Sequence, residues 1–304
     1  MLATHSSTFK VSSDLAFLTE GWANGLADAL REHRPKRMEL VGAWDNLHLF
    51  SGVVDSVENL RIAGTIMNGK VNSVSGIEVF KNLRGLEIVS KVKAGYDMSA
   101  LTALERCDVV WQPHVHSLLA LPSMRNAHVH AFPHANFQEF PENGLHSLML
   151  GQPALTSLRC IENLTQISTI KFGRARKLTS LDGVEAASLE SIEINEARQL
   201  ADISSLQKSS LKELRLINVS TSIDLSTLAK ISNLRRVHIA GQGVPTLPWL
   251  QLVQSKSIQW ISGMWDSDIM PEAAIRDALP AGRRFARFDA VGSKGVRPLR
   301  IELE

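Results

Sequence analysis

Cysteine is almost missing from this 304-residue chain, which has only Cys107 and Cys160. Two thiols are too few for a disulfide framework and lack the paired spacing of a zinc knuckle, so a reducing interior compartment is expected, with both as core thiols. No apolar run approaches the roughly 18 residues that a membrane span requires. The opening residues, MLATHSSTFKVSSDLAFLTEGW, show no charged stretch leading into an apolar core and a small-residue cleavage site. Neither secretion nor membrane association is therefore expected, and a cytoplasmic location is. Charge of one sign is lacking as well: 33 Lys+Arg against 31 Asp+Glu leave a net +2, which gives no general attraction to nucleic acid or anionic lipid. Also absent are a P-loop, a Gly-x-Gly-x-x-Gly after a strand, a Gly-x-Ser-x-Gly elbow, and kinase or zincin signatures. What remains, 44% hydrophobic and 21% charged residues, suffices for a substantial core and excludes disorder as the main state.

The dominant positive signal is a repeat. The pattern apolar-x-x-apolar-x-apolar returns as Val57/Leu60/Ile62, Leu83/Leu86/Ile88, Leu104/Cys107/Val109, Met124/Ala127/Val129, Leu145/Leu148/Leu150, Ile167/Ile170/Phe172, Leu189/Ile192/Ile194, Leu211/Leu214/Leu216 and Leu234/Val237/Ile239, after a weaker Met38/Leu40. Counted at the last residue of each copy from Leu40, the gaps are 22, 26, 21, 20, 21, 22, 22, 22 and 23 residues. Ile258-Gln-Trp260 is the expected next strand. Between strands runs a second set at spacings near three: Leu155-Leu158-Ile161-Leu164, Leu178-Leu181-Val184, Leu200-Ile203-Leu206 and Leu225-Leu228-Ile231. Such spacing suits a short 3₁₀ return segment that keeps its apolar groups inward. One repeat cannot bury both its strand and its return, so neighbours must stack and the ends must be capped. Leu15, Leu18, Trp22, Leu26 and Leu30 fall largely on one helical face, with Ser12 or Ser13 as N-cap. At the other end Pro271 opens a short helix, and Arg284–Phe288 with Leu299, Ile301 and Leu303 reads as a β-hairpin.

This periodicity is the strand signature of a leucine-rich repeat. The segments Leu155-Thr-Ser-Leu-Arg-Cys-Ile-Glu-Asn-Leu and Leu178-Thr-Ser-Leu-Asp-Gly-Val resemble the short bacterial repeats of the internalin type, over roughly residues 36–262. The resemblance implies an α/β solenoid: a horseshoe whose parallel β-sheet lines the concave face. Residues 1–35 would form an N-terminal helical cap and 263–304 a C-terminal cap of helix plus hairpin, all in one continuous domain. It does not imply a particular function. One departure matters. Three residues after each motif, where such repeats often place an inward Asn, stand Thr65, Lys91, Gln112, Phe132, Pro153, Ala175, Ala197, Val219 and Gln242. The backbone groups an Asn ladder would satisfy need other partners, and looser bends are expected.

Alternation along a strand puts the residues between the inward positions on the concave face. The central column runs Glu39, Arg61, Glu87, Asp108, His128, Met149, Lys171, Glu193, Arg215, His238 and then Gln259. Arg106 and Arg236 stand in the column before it, and His130 and Asn195 in the one after. Trp111 lies just past a strand end. Of these, Arg106, Asp108, Trp111, His128, His130, Met149, Lys171, Glu193, Asn195, Arg215, Arg236 and His238 are the candidate partner-binding residues, because a rigid curved face of charged and amide side chains suits a protein partner. The bland alternative for alternations such as Glu39/Arg61/Glu87 is cross-strand pairing, worth roughly 0.2–1 kcal/mol each. Five of the ten histidines, His114, His116, His128, His130 and His134, fall within 21 residues. His114, His116, His128 and His130 are candidate zinc ligands, with Asp108 able to add a carboxylate, although no Glu adjoins them as a general base.

The expected function is thus a non-catalytic module that binds a macromolecular partner, with no cofactor, and is a monomer or weak homo-oligomer. Three narrower forms fit: an immunity or inhibitor protein, an effector delivered without a conventional signal, and an intracellular scaffold. The competing class is a metal-binding protein, or an enzyme, built on the histidine-rich coils.

Overall fold

A computed structural model describes residues 9–19, 22–42, 44, 46–64, 71, 73–94, 96–142, 144–220, 223–241, 247–265, 276–290 and 297–303. It divides into two compact units, Met1–His130 with Pro141–Leu145, and Ala131–Phe140 with His146–Glu304. Among the described residues no helix is long and apolar enough to cross a membrane.

The first unit holds strands β1 (Phe9–Val11), β2 (Leu15–Thr19), β3 (Arg37–Val41), β4 (Asn59–Ala63), β5 (Gly85–Ile88), β6 (Arg106–Val110) and β7 (Asn126–His130). β1 and β2 are antiparallel; from β2 to β7 each strand lies parallel to the next in chain order. The second unit holds β8 (Ser147–Gly151), β9 (Thr169–Gly173), β10 (Ser191–Asn195), β11 (Glu213–Ile217), β12 (Arg236–Ala240) and β13 (Trp260–Trp265), again parallel in chain order. Register keeps like with like: Ile170, Ile192, Leu214 and Val237 stand side by side in successive strands. Period-two alternation is why these segments are strands. One face of each carries the apolar motif residues into the core, and the other stays open.

The returns close the opposite side. Ile161–Asn163, Val184–Ala186, Ser204–Lys208 and Leu225–Lys230 are 3₁₀ turns, and Leu158, Ile161, Leu181, Val184, Leu206 and Leu228 within or beside them are fully buried. In the first unit Val115–Leu119 forms a short helix, α2, after the N-terminal helix α1 (Leu26–His33).

The bends are more regular than expected. Ala131, Gln152, Arg174, Glu196 and Asn218 all adopt left-handed φ values between 52° and 56°, each directly after a strand end. Such a conformation costs roughly 1–2 kcal/mol for a residue with a side chain. It is offset by a bond to the next coil: the N–H groups of Ala131, Gln152, Glu196 and Asn218 donate to the carbonyls of Gly151, Gly173, Ile217 and Ala240 at 2.6–2.9 Å. One amide does replace the missing ladder Asn. Gln112 donates from Nε2 to the Val92 carbonyl at 2.7 Å and accepts the Val92 N–H on Oε1 at 2.8 Å. Phe132, Pro153, Ala175 and Ala197 fill their ladder positions with buried apolar side chains, while Thr65 and Gln242 lie outside the described residues.

Three expectations change. The N-terminal helix is confined to α1, because residues 15–19 form β2, with Ala16 and Leu18 buried at strand spacing. Ser12 caps a hairpin turn instead of a helix, its Oγ donating to the Leu15 carbonyl at 3.1 Å. The last parallel strand is displaced: Ile261 pairs with Val237 and Gly263 with Ile239, so Ser262 and not Gln259 continues the central column. The C-terminal hairpin is present as β14 (Phe285–Ala290) and β15 (Arg297–Leu303), and β15 is paired on both sides, with β13 and β14. Residues 276–278 are helical, and the rest of the helix expected from Pro271 lies outside the described residues.

Candidate functional site

The open strand face is held together by side-chain ladders. In the first unit Arg61 sits between two carboxylates, donating from Nε to Glu87 Oε1 at 2.9 Å and from Nη1 to Glu39. Arg106 reaches two strands back to the Asn59 side-chain oxygen. It passes over Gly85, where a Cβ would stand 2.7 Å from Arg106 Nε and 2.6 Å from Asn59 Oδ1, so the glycine is what lets the guanidinium lie flat. These residues and Asp108 border a groove of about 460 Å³.

Beside it β6 and β7 place Asp108 opposite His128 and Val110 opposite His130. His128 Nδ1 lies 2.8 Å from Asp108 Oδ2, and His130 Nε2 lies 3.2 Å from Asp108 Oδ1. The two imidazoles lie 4.0 Å apart between centroids, their planes tilted by 50°. His114 and His116 do not join them: they belong to the return segment around α2, where His114 packs on Tyr96 at 3.9 Å and His116 is exposed. Burial lowers the His114 pKa, and burial raises that of the Tyr96 hydroxyl. His134 packs against Phe132 in the other unit. The histidine-rich segment therefore divides among three environments. Trp111 is half-buried, and its backbone N–H donates to the His130 carbonyl at 2.8 Å. Cys107 is a core thiol, as expected, with a pKa raised to about 12 chiefly by burial, whereas Cys160 is only half-buried, on the coil's return.

In the second unit Lys171 and Arg215 each lie 3.7 Å from Glu193. Arg236 stands 3.9 Å from Glu213, and Met149 is exposed at the head of the column. His238 Nδ1 is 2.8 Å from the Ser262 hydroxyl; burial, aided by the nearby Arg215 charge, lowers its pKa against a smaller opposing effect of Glu193. Asn195 Oδ1 is buried with no hydrogen-bond partner. A groove of about 400 Å³ opens here, bordered by Glu213, Arg215, Arg236, His238, Trp260 and Ser262. Trp260 and Ser262 are additions that sequence reasoning missed. The signal was Ile258-x-x-Ile261-x-Gly263, a motif copy hidden by its terminal glycine.

No protein-family model matches the sequence, and no curated protein matches it. Among solved structures the chain is similar to a chain of the Drosophila Toll–Spatzle complex, with a TM-score of 0.39 and 10% identity over 75% of this chain. It spans 40% of the length of that chain. It is also similar to the functional domain of InlJ from Listeria monocytogenes, which includes a cysteine ladder, with a TM-score of 0.35 and 9% identity over 94% of this chain and 82% of that one. The architecture itself rests on the coils described above: a period near 22 residues, one short parallel strand per period and a 3₁₀ or helical return.

These coils have the architecture of leucine-rich repeats. The exposed side chains on their strands are the positions free to differ from coil to coil, because the inward ones are committed to the core.

Proposed function

We propose that the chain is a non-catalytic module that binds a protein partner on the open strand face, from within the cell. The observation that carries this is the second unit's column of Met149, Lys171, Glu193, Arg215 and His238, flanked by Arg236 and Asn195. It presents one exposed apolar side chain and both signs of charge on registered strands. Exposed ion pairs of this geometry contribute only about 0–1 kcal/mol to folding, so their recurrence from β9 to β12 is poorly explained by stability. Six parallel strands about 4.8 Å apart, five to six residues long at about 3.3 Å per residue, present roughly 24 by 17 Å. That is about half of the ~800 Å² that a standard interface buries on each partner, so contact must extend onto the bends. Immunity or inhibitor protein, effector and scaffold are the three forms this role takes.

The test is capture from native lysate by the wild-type chain and by a Lys171→Glu, Arg215→Glu double variant, with circular dichroism confirming equal folding. Loss of a central Arg anchor costs at least about 2 kcal/mol in a hot spot, close to 30-fold in affinity. A protein held by the wild type should thus be lost by the variant. Equal retention by both would exclude this face.

A further inference from the structure

We infer that Asp108, His128 and His130 form a binding site for a divalent transition metal of the zinc class, with three protein ligands and one open position. This does not depend on the protein-binding role.

The strands place the ligands. His128 and His130 are two apart on β7 and project to the same side, and Asp108 stands opposite His128 on β6. Their ligand atoms all lie within 4.8 Å of one another. Ligands about 2.0–2.2 Å from a tetrahedral ion stand roughly 3.3–3.6 Å apart. His128 Nδ1 lies 2.8 Å from one Asp108 oxygen and His130 Nε2 lies 3.2 Å from the other, so drawing three donor atoms around one ion requires side-chain rotation within this cluster.

Charge favours a cation at this point. Glu87 and Asp108 are registered on neighbouring strands, and like charges directly opposite repel. They turn apart: Glu87 pairs with Arg61, and Asp108 turns to the imidazoles. Among the described residues no Lys or Arg lies within 4 Å of Asp108, so its carboxylate has no fixed cation to neutralise it. Side-chain exposures of 24%, 41% and 43% for His128, Asp108 and His130 leave an entry path and room for a water in the open position. Nitrogen and carboxylate donors in this number suit zinc and its neighbours better than calcium or magnesium, which take all-oxygen sets.

Support behind the ligands is thin. His128 Nε2 is buried without a hydrogen-bond partner, so no acceptor fixes that ring from behind. Such outer partners are worth about 10–100-fold in metal affinity, and micromolar binding is therefore expected rather than the tight binding of a structural zinc site.

The experiment strips the full chain with a chelator and titrates it with zinc in competition with a chromophoric chelator, then repeats the loading with Co²⁺ to read its visible spectrum. One zinc per chain is expected, with a cobalt spectrum of low coordination number. Asp108→Asn, which preserves shape, and His130→Gln should each weaken zinc at least about 10-fold. A His114→Gln, His116→Gln variant should bind as the wild type does. Absence of stoichiometric zinc, undiminished binding by both Asp108→Asn and His130→Gln, or loss that follows His114 and His116 instead would overturn the assignment. Both single variants sit on the exposed face, and circular dichroism of each separates lost binding from lost fold.

Discussion

Replacing Phe132 by alanine is expected to destabilise the chain by about 3–5 kcal/mol, the usual cost of emptying a buried aromatic position. Phe132 is fully buried, as is Phe137, and Phe140 is nearly so; their ring centroids lie 6.2 Å and 5.6 Å from that of Phe132. The three rings fill a space that a smaller side chain cannot, while the Phe132 carbonyl still accepts the Ala154 N–H at 2.8 Å. The more telling variant is Phe132→Asn, which restores the residue that similar repeats place here. It should be at least as damaging as alanine, because an amide lodged among aromatic rings adds roughly 1–3 kcal/mol for unmade hydrogen bonds. Urea denaturation followed by circular dichroism reads both. A Phe132→Asn protein as stable as the wild type would show that this coil uses an amide ladder after all.

The second large effect is expected at Gly183, which precedes the 3₁₀ turn Val184–Ala186 with φ +103°. A Cβ there would lie 2.5 Å from the Leu158 carbonyl oxygen and 2.9 Å from Arg159 Cα, so the preceding coil's backbone itself would have to move. Gly183→Ala should cost about 2–4 kcal/mol: roughly 1–2 kcal/mol for the left-handed conformation and the remainder for pushing the coils apart. Gly25 is the control. It has φ +79° and nothing within 4 Å of its would-be Cβ, so Gly25→Ala should carry the conformational cost alone. One coil before Gly183, Cys160 occupies the same position with φ 65°, and Cys160→Gly should therefore raise stability by up to about 1 kcal/mol. Equal urea midpoints for the Gly25 and Gly183 variants would contradict the close approach of the coils.

The repeat was legible because its inward residues obey two spacings at once, alternation along the strand and steps near three along the return. Val57/Leu60/Ile62 and its later counterparts are all buried on that plan. Where a coil departs from it, the sequence misleads. β2 was hidden because Ser13 stands where the motif's first apolar residue belongs and Ala16 is small, so the longer helical spacing through Leu15, Leu18 and Trp22 looked stronger. β13 was misplaced because Gly263 closes its motif.

The site was legible to the same degree. Asp108, His128 and His130 could be read as neighbours, since strand phase fixes which side chains share a face. His114 and His116 could not be placed, because no period fixes the phase of a return segment. The regular left-handed bends left no trace, since Ala131, Gln152, Arg174 and Glu196 are not residues that favour that conformation; only Asn218 is. At Ala131, Gln152 and Glu196 the bond to the next coil outweighs local preference.

The protein-binding role is tested most directly by a photoreactive amino acid placed singly at Met149, Lys171 and Arg215 on the strand face, and at the exposed Glu162 and Glu185 on the returns. Irradiation in native lysate should yield one common crosslinked protein from the strand positions and none from the return positions. Crosslinks confined to Glu162 and Glu185 would contradict binding on the strand face.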